Sequence, residues 1–427
     1  MGFSLTQPIQ TIKGTKDILP EDVPRWRSVE RAAESLLERY GYRELRTPIY
    51  EATDLFARGI GESTDIVGKE MFSFDDRGGR HVTLRPENTA GVVRAYIQHK
   101  LYTRPLPQKF WYLGPMFRAE NVQAGRQRQF HQLGVECLGS DDPRWDAEVM
   151  VLAVEFFRAL GLDATYRIEL NSVGCAICRP AYRTLLQDYL RTVQSSLCRD
   201  CCERTERNPL RVLDCKVSVC RETLLSAPLI NACWCDACRK ALEQVCAYLN
   251  AVGVTYQMNP GLVRGLDYYT RTVFELVASG GRLGAQSTVC AGGRYDGLVA
   301  ELGGPATPAV GWALGLERLL MLLEHETHLP SPQAVVVSMP GISFEPAFSL
   351  TMQLRGLGLS VEMAPAGKLE RQLKHAERLG ARFAVLLGED ELAAEQVVLK
   401  DLAARTQQRC SIQANDLLAV MQTARGE

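Results

Sequence analysis

Ten of the fourteen cysteines lie in one stretch of the chain, between Cys175 and Cys238. Eight of them form pairs separated by two or four residues: Cys175 and Cys178, Cys198 and Cys201, Cys215 and Cys220, Cys235 and Cys238. Helical patterns over residues 180–197 and 239–249 alternate here with short loops, whereas strand-like segments precede and follow the stretch. We therefore predict that residues 171–252 are an insertion into a domain that resumes after it.

The chemistry of these cysteines stays open at the level of sequence. The first twenty residues contain no apolar core of a secretory signal, so disulfides are not expected. The spacing fits one or two tetrahedral Zn²⁺ sites, and it fits reduced structural thiols equally well. Spacing does not assign the pairing, so a structural Zn²⁺ is possible but the metal ligands are unknown.

Length, charge and hydropathy set broad limits. A chain of 427 residues is expected to form two or three domains. Its 49 basic and 50 acidic residues give a net charge of −1, which neither indicates a nucleic-acid partner nor argues against a small-molecule enzyme. The most apolar stretch, residues 311–323, contains Glu317 and Arg318 and is shorter than the roughly 20 residues needed to cross a bilayer. We expect a soluble, cytoplasmic protein with no membrane partner.

Hydrophobic periodicity predicts most elements before the last hundred residues. Helices are predicted over residues 21–40, 90–100, 146–160 and 316–326. A hairpin is predicted over residues 73–84, and extended segments over residues 109–118, 129–138, 272–278 and 287–290. Residues 45–50 form a short extended run whose Pro48 restricts it to an edge or interface strand.

The end of the chain follows a linker that contains Pro330 and Pro332. Strand patterns at residues 334–338, 360–363, 384–387 and 396–399 are interspersed with helical patterns at 345–356, 369–379 and 415–423. This order predicts a small, mainly parallel α/β domain.

Three segments contain side chains suited to phosphate and ligand binding. The first is Phe117-Arg118-Ala119-Glu120, followed by a strand whose alternate residues share a face: Phe130, Gln132, Gly134 and Glu136. The second is residues 264–269, Arg-Gly-Leu-Asp-Tyr-Tyr. The third is Gly315-Leu316-Glu317-Arg318, where a helix is predicted to begin.

Arginine is the residue type that these segments share. Guanidinium groups bind phosphate oxygens in a bidentate manner and remain charged at all relevant pH values. The chain has neither GxxxxGK[ST] nor GxGxxG between a strand and a helix, so nucleotide chemistry would have to use arginine side chains. Taken singly, each segment also fits a structural role: a solvated hairpin, a turn before a strand, or a core helix with one surface arginine.

Taken together and in this order, the segments resemble the signature motifs of class II aminoacyl-tRNA synthetases. Pro48 is similar to the proline of the first motif, and the segments that end at Glu120 and Arg318 resemble FRxE and GxER. Three segments resemble the histidyl-tRNA synthetase family: residues 264–269, from here on called the histidine motif, Gln129-Phe130-His131-Gln132 and Lys13-Gly14-Thr15-Lys16-Asp17. The resemblance covers essentially the whole chain.

The resemblance implies a fold and a domain order. It implies an α+β catalytic domain, with a mixed, mainly antiparallel sheet flanked by helices, in residues 1–170 and 253–328. The Cys-rich helical insertion then occupies residues 171–252, and a C-terminal α/β anticodon-binding domain occupies residues 331–427. A homodimer is also implied.

The resemblance further implies an activity: ATP-dependent activation of L-histidine to histidyl-adenylate and its transfer to histidine tRNA, with Mg²⁺ accompanying ATP. Arg118 and Arg264 are implied as the catalytic residues. The implied histidine-binding residues are Glu87, Thr89, Arg118, Gln132, Glu136, Arg264, Tyr268 and Tyr269. The implied ATP-binding residues are Arg118, Glu120, Arg126, Phe130 and Arg318.

Two positions depart from the family's usual pattern. Asn88 stands where a glycine is usual, between Glu87 and Thr89, and Asn121-Val122 stands where Arg-Pro is common in a loop expected to meet the tRNA acceptor end. Two alternative functions are a non-catalytic regulatory subunit of histidine biosynthesis and a class II synthetase for glycine, proline or threonine. The C-terminal domain and the histidine motif argue against the regulatory subunit, and the histidine motif against the other synthetases.

Overall fold

The computed structural model describes residues 8–61, 64–163, 165–279, 283, 287–323 and 331–425. The chain divides into two compact units, Met1–Glu326 and Thr327–Glu427. Among these described residues, every helix is too short or too polar to cross a membrane.

The first unit contains eleven described strands. In chain order they are β1 (Arg43–Glu44), β2 (Tyr50–Ala52), β3 (Phe72–Asp75), β4 (His81–Leu84), β5 (Gln108–Phe117), β6 (Gln129–Leu138), β7 (Tyr166–Ser172), β8 (Gln257–Met258), β9 (Thr270–Ala278), β10 (Thr288–Arg294) and β11 (Ala309–Gly315). Eight of them form one sheet in the order β1-β5-β6-β11-β10-β9-β7-β8. Only the two edge pairs of this sheet, β1 with β5 and β7 with β8, are parallel. The mixed, mainly antiparallel sheet is therefore confirmed, and β2, β4 and β3 form a small antiparallel sheet beside it.

The helices of this unit cover both faces of the large sheet. They are α1 (Val23–Arg39), α2 (Thr53–Ile60), α3 (Thr89–Gln98), α4 (Pro143–Ala159), α5 (Cys178–Thr192), α6 (Arg199–Arg207), α7 (Ser218–Leu224), α8 (Asp236–Ala251), α9 (Leu298–Glu301) and α10 (Leu316–Leu322). Short 3₁₀ turns occur at Leu101–Thr103, Gln194–Ser196, Pro209–Asp214 and Ile230–Cys233, and a π turn at Ile66–Glu70. Helix α4 begins after Asp142 because the Asp142 side chain accepts a hydrogen bond from the backbone N–H of Arg144 and Pro143 suits the first turn.

Strand alternation separates a structural face of the large sheet from a functional face. Leu133 and Val135 of β6 pack in a core with α1, α4 and α8. The residues that flank this pair along the strand, Gln132 and Glu136, point to the other face and line a cleft. Apolar residues of α3 and the two tyrosines of the histidine motif pack on that second face.

The Cys-rich insertion has a small core of its own. Tyr182, Leu186 and Leu190 of α5 pack there with the buried Val212 and Ile230 and with three buried cysteines. Helix α8 also lies within residues 171–252, but it buries Leu242, Val245 and Leu249 in the core under the large sheet. A Cys-rich helical insertion is therefore present, as predicted. Its limits at residues 171 and 252 stay a prediction.

The second unit is a five-stranded sheet with helices. Its strands are β12 (Ala334–Ser338), β13 (Val361–Met363), β14 (Phe383–Leu387), β15 (Gln396–Asp401) and β16 (Thr406–Ser411), in the order β13-β12-β14-β15-β16. Its helices are α11 (Glu345–Gly356), α12 (Leu369–Arg378), α13 (Glu389–Ala393) and α14 (Ala414–Arg425). Strands β13, β12 and β14 are parallel, whereas β15 and β16 are antiparallel additions. The α/β domain is confirmed, but it is half parallel rather than mainly parallel.

Three local predictions differ from the structure. The run at residues 45–50 is not one strand, because β1 ends at Glu44 and β2 begins at Tyr50, with Pro48, which has no N–H to donate, between them. Strand β16 was missed because its sequence, Thr-Gln-Gln-Arg-Cys-Ser, is polar on both faces. The predicted helix at 316–326 is observed over Leu316–Leu322, and residues 324–326 of it lie outside the described residues.

Candidate active site

A cleft of about 750 Å³ opens on the functional face of the large sheet. All twelve residues singled out from the sequence line it, although they come from segments spread over more than two hundred residues. They are Glu87, Thr89, Arg118, Glu120, Arg126, Phe130, Gln132, Glu136, Arg264, Tyr268, Tyr269 and Arg318. The fold therefore brings the predicted site together in one place.

Three arginines concentrate positive charge on one part of the lining. Nε of Arg126 lies 2.6 Å from a carboxylate oxygen of Glu120, and Nη1 of Arg118 lies 3.6 Å from the other. Burial lowers the pKa of Arg318, and the positive charges of Arg126 and Arg118 lower it further. The guanidinium of Arg118 also lies 5.3 Å from the centre of the Phe130 ring. A region with this much positive charge is suited to a polyanion such as a triphosphate, and Phe130 offers an aromatic surface beside it.

Arg264 is held between a carboxylate and a tyrosine ring. Its Nη1 is hydrogen-bonded to Oε1 of Glu275 on β9, and its guanidinium lies 5.6 Å from the centre of the Tyr269 ring. The hydroxyl of Thr288 donates to the other oxygen of Glu275 at 2.6 Å. Burial is the largest single influence and lowers the pKa of Arg264, but Glu275 together with Tyr269 and Tyr268 outweighs it, so the pKa of the guanidinium is raised. Among the described residues nothing accepts a hydrogen bond from Nε of Arg264, so this donor is available to a ligand.

Glu136 is a fully buried carboxyl group of the cleft. It is 1% exposed, and its two oxygens accept hydrogen bonds from the hydroxyls of Thr89, at 2.7 Å, and Tyr295. Burial raises the pKa of Glu136 to about 8, although the hydrogen bonds from Tyr295 and Thr89 act in the opposite direction. Its protonation state therefore changes near neutral pH.

Glu87 and Gln132 provide fixed acceptors near the start of α3. The carboxylate of Glu87 accepts from the backbone N–H groups of Thr89, at 2.7 Å, and Ala90, at 3.0 Å, which fixes its rotamer. Burial raises the pKa of Glu87, and these two N–H groups partly offset the rise. The buried Oε1 of Gln132 meets no donor within the described parts of the chain, so a ligand N–H can satisfy it.

Close packing around Glu136 requires glycine at one neighbouring position. A Cβ atom at Gly311 would lie 2.0 Å from Oε2 of Glu136 and 2.3 Å from the carbonyl oxygen of Val135. No side chain larger than hydrogen fits there without displacing the carboxyl group.

Several residues of the site were missed at the level of sequence. Glu275 and Tyr295 are hydrogen-bonded to the predicted site residues Arg264 and Glu136. The carbonyl of Thr288 accepts from Arg318, and no local motif marks Glu275 or Thr288. The insertion was also not expected to line the cleft, yet Leu213, Asp214, Cys215, Lys216, Arg221, Leu224, Leu225, Ala227 and Leu229 do so. Among these missed residues, Tyr295 alone had a local signal in the sequence, the nearby Gly292-Gly293 pair.

The unusual Asn88 fits without displacing its neighbours. Its side chain is buried, and Oδ1 accepts from the hydroxyl of Thr47 at 2.5 Å and from Nη1 of Arg85 at 3.4 Å. Glu87 and Thr89 keep the hydrogen bonds described above. The structure thus accommodates Asn88 through hydrogen bonds to its side-chain oxygen.

Comparison with known proteins decides the family. The family model described as histidyl-tRNA synthetase matches residues 14–319, and the one described as anticodon binding domain matches residues 333–423. The chain belongs to the histidyl-tRNA synthetase family. The predicted fold class and enzyme class, a class II ligase of the synthetase type that uses ATP, are confirmed with it.

Individual members of the family resemble the chain over nearly its whole length. It is 49% identical to the histidine–tRNA ligase of Pelotomaculum thermopropionicum over 400 residues, 92% of this chain and 93% of that protein. It is 50% identical to the histidine–tRNA ligase of Picosynechococcus sp. over 420 residues, 98% of this chain and 97% of that protein. The apo crystal structure of Staphylococcus aureus histidyl-tRNA synthetase superimposes with a TM-score of 0.81 at 37% identity, covering 97% of this chain and 99% of that one.

Proposed function

We propose that the chain activates L-histidine with ATP, releasing pyrophosphate, and transfers the histidyl group from the adenylate to the 3′ end of tRNA(His). One observation supports the assignment of residues: three arginines suited to phosphate binding, Arg264 and a group of buried polar side chains all line the same cleft. The anticodon-binding domain, proposed to span residues 331–427, supplies the second tRNA-contacting surface.

Arg118, Arg126 and Arg318 bind the triphosphate of ATP, with Glu120 fixing the first two. Arg118 binds the α-phosphate and the histidine carboxylate, and Arg126 and Arg318 hold the β- and γ-phosphates. Phe130 stacks under the adenine ring. This assignment is supported by the charge that the three guanidinium groups concentrate beside that ring. Such a preorganised cationic site stabilises charge that develops on the phosphates during attack.

Arg264 is the second catalytic residue. The ion pair with Glu275 holds its guanidinium, and its buried Nε has no protein acceptor among the described residues. As the histidine carboxylate attacks the α-phosphorus, the charge on the non-bridging oxygens grows, and a fixed guanidinium stabilises that state more than the ground state.

Histidine is recognised by two groups of side chains. Glu87, Thr89 and Gln132 hold its ammonium group, and the unsatisfied Oε1 of Gln132 supports this role. Glu136, Tyr268 and Tyr269 surround the imidazole. A buried site that pairs both ring nitrogens rejects an analogue lacking them by about 10⁴-fold or more, because the site's polar groups would remain unpaired.

Two metals belong to the proposal. Glu120, whose carboxylate lies among the arginines proposed to bind the triphosphate, would hold Mg²⁺ together with the substrate phosphates. The ion would neutralise charge on the pyrophosphate leaving group. A structural Zn²⁺ in the insertion takes no part in either chemical step.

The assembly and location follow the family. We propose a cytoplasmic homodimer whose interface includes the segment around Pro48, next to which Ile49 and Tyr50 leave 44% and 55% of their surface exposed. Light scattering of the purified protein tests the dimer, and a single-chain mass would contradict it.

The activity and the role of Arg264 are tested by histidine-dependent ATP–pyrophosphate exchange. Removing one preorganised charge at a reacting phosphate costs roughly 10²- to 10³-fold in rate, which is the decrease expected for Arg264→Ala. Arg94→Ala is the matched control, because Arg94 forms a partly buried pair with Glu51 outside the cleft. Exchange that proceeds without histidine would overturn the proposed function, and an unchanged rate in Arg264→Ala would overturn the role of Arg264.

A further inference from the structure

The insertion gathers eight of its cysteines into two clusters. The first cluster contains Cys175, Cys178, Cys235 and Cys238, and the second contains Cys198, Cys201, Cys215 and Cys220. In each cluster the four sulfur atoms lie within 4.8 Å of one another. All of them are free thiols.

The spacing of the sulfurs matches a tetrahedral metal site. Sulfur–sulfur distances in the first cluster are 3.7 Å for Cys175–Cys178, 3.8 Å for Cys175–Cys235 and 3.7 Å for Cys178–Cys238. Cys198–Cys215 in the second cluster measures 3.9 Å. Four sulfurs at about 2.3 Å from a tetrahedral Zn²⁺ are about 3.8 Å apart, whereas a disulfide needs about 2.05 Å.

Backbone groups are arranged to support thiolates in both clusters. The N–H of Cys235 donates to Sγ of Cys178 at 3.1 Å, and the N–H of Cys198 donates to Sγ of Cys220 at 3.0 Å. Such bonds stabilise negative sulfur, and thiolates are the ligands that structural zinc prefers.

We propose that each cluster binds one Zn²⁺, and that the two ions position the histidine motif, residues 264–269, through the insertion. The inference goes beyond the proposed function by assigning both ligand sets and a task to the metal. Its second half rests on the proposed function, because it concerns the affinity for histidine.

The first cluster is linked to the histidine motif by Arg179. This residue follows the ligand Cys178 directly, and its guanidinium donates to the backbone carbonyls of Val173, at 3.4 Å, and Tyr269. A further N–H reaches the carbonyl of Asp267 at 3.5 Å. The metal fixes the start of α5, which carries Arg179, and Arg179 fixes the backbone beside the two tyrosines.

The second cluster is linked to the same motif by the segment between its ligands. Asn208 donates to the carboxylate of Asp267 at 2.9 Å, and Arg211 donates to the carbonyl of Arg264 at 3.4 Å. Both residues lie between Cys201 and Cys215 in the sequence, and Cys215 itself lines the cleft. A metal that holds these two cysteines together therefore holds the contacts with the motif as well.

Metal content is the first measurement, and it does not depend on activity. Elemental analysis of the purified full-length protein is expected to find two zinc ions per chain. Cys178→Ser and Cys220→Ser are each expected to retain one, whereas Cys202→Ser and Cys233→Ser, which change cysteines outside both clusters, retain two. Less than about 0.1 equivalent of zinc in the unaltered protein, or iron in its place, would overturn the zinc sites.

The positioning role is tested with metal sites intact. Arg179→Ala is expected to keep two zinc ions and to raise the KM for histidine about tenfold, with kcat and the KM for ATP within about twofold. Arg183→Ala serves as the matched control, because Arg183 lies on the exposed side of α5, the helix that contains Arg179. An unchanged KM for histidine in Arg179→Ala would overturn the positioning role. Absence of exchange in the unaltered protein would instead overturn the proposed function and leave the zinc result standing.

Discussion

Glu136 couples the stability of the catalytic unit to pH, and Glu136→Gln removes that coupling. In the folded protein burial raises the pKa of Glu136 from 4.5 to about 8. The folded state therefore holds the proton more strongly than the unfolded chain. The stabilisation is fully present below the ordinary value of 4.5 and is lost as the pH rises through about 8.

The size of the effect follows from the two pKa values. The full cost of deprotonating the buried group is on the order of 5 kcal/mol, because each tenfold difference in acid dissociation constant between the folded and the unfolded state is worth about 1.4 kcal/mol. Only part of this cost arises between about pH 5.5 and about pH 8.5, because stability is already being lost from pH 4.5 upward. Over this interval the free energy of unfolding is expected to fall by about 3 kcal/mol. A glutamine at position 136 is neutral throughout and shows no such loss.

Urea unfolding at these two pH values, followed by tryptophan fluorescence, measures the difference. All five tryptophans, Trp26, Trp111, Trp145, Trp234 and Trp312, lie in the first unit, so fluorescence reports on the unit that contains Glu136. The free energy of unfolding of the unaltered protein, minus that of Glu136→Gln, is expected to fall by about 3 kcal/mol as the pH rises. A change below about 1 kcal/mol would refute the assignment of this titration to Glu136.

Two further substitutions test the packing around the site. Gly311→Ala is expected to raise the KM for histidine at least about tenfold and to destabilise the protein by about 1–3 kcal/mol. The reason is that the new methyl group must displace the Glu136 carboxyl group. Kinetics equal to those of the unaltered protein would show that the strand relaxes instead. Asn88→Gly removes the hydrogen bond from Thr47 and is expected to cost about 1–2 kcal/mol in thermal or urea unfolding. Its KM for histidine should stay within about threefold, because Glu87 and Thr89 keep their partners, and a larger change would assign Asn88 to the binding site.

Local sequence motifs were sufficient to predict which residues line the cleft. Arg118, Arg264 and Arg318 lie in short motifs whose residues are adjacent in the chain, and the alternation along β6 placed Gln132 and Glu136 on one face. Helix α11 was predicted with its observed limits, because its apolar positions repeat with the helical period and a proline lies in its first turn. Local patterns of this kind depend only on neighbouring residues.

The tertiary structure decided what depends on distant residues. Glu136 acquires its raised pKa from burial and is hydrogen-bonded to Tyr295, 159 positions away in the chain. The sequence left the cysteine pairing open, and only the fold brings Cys175 next to Cys235, 60 positions later. The contact of the insertion with the histidine motif has the same origin, since no local pattern encodes which surfaces meet. The sequence by itself therefore determined which chemical groups are present and the family to which they point. Burial and long-range packing determined how those groups are held, charged and paired.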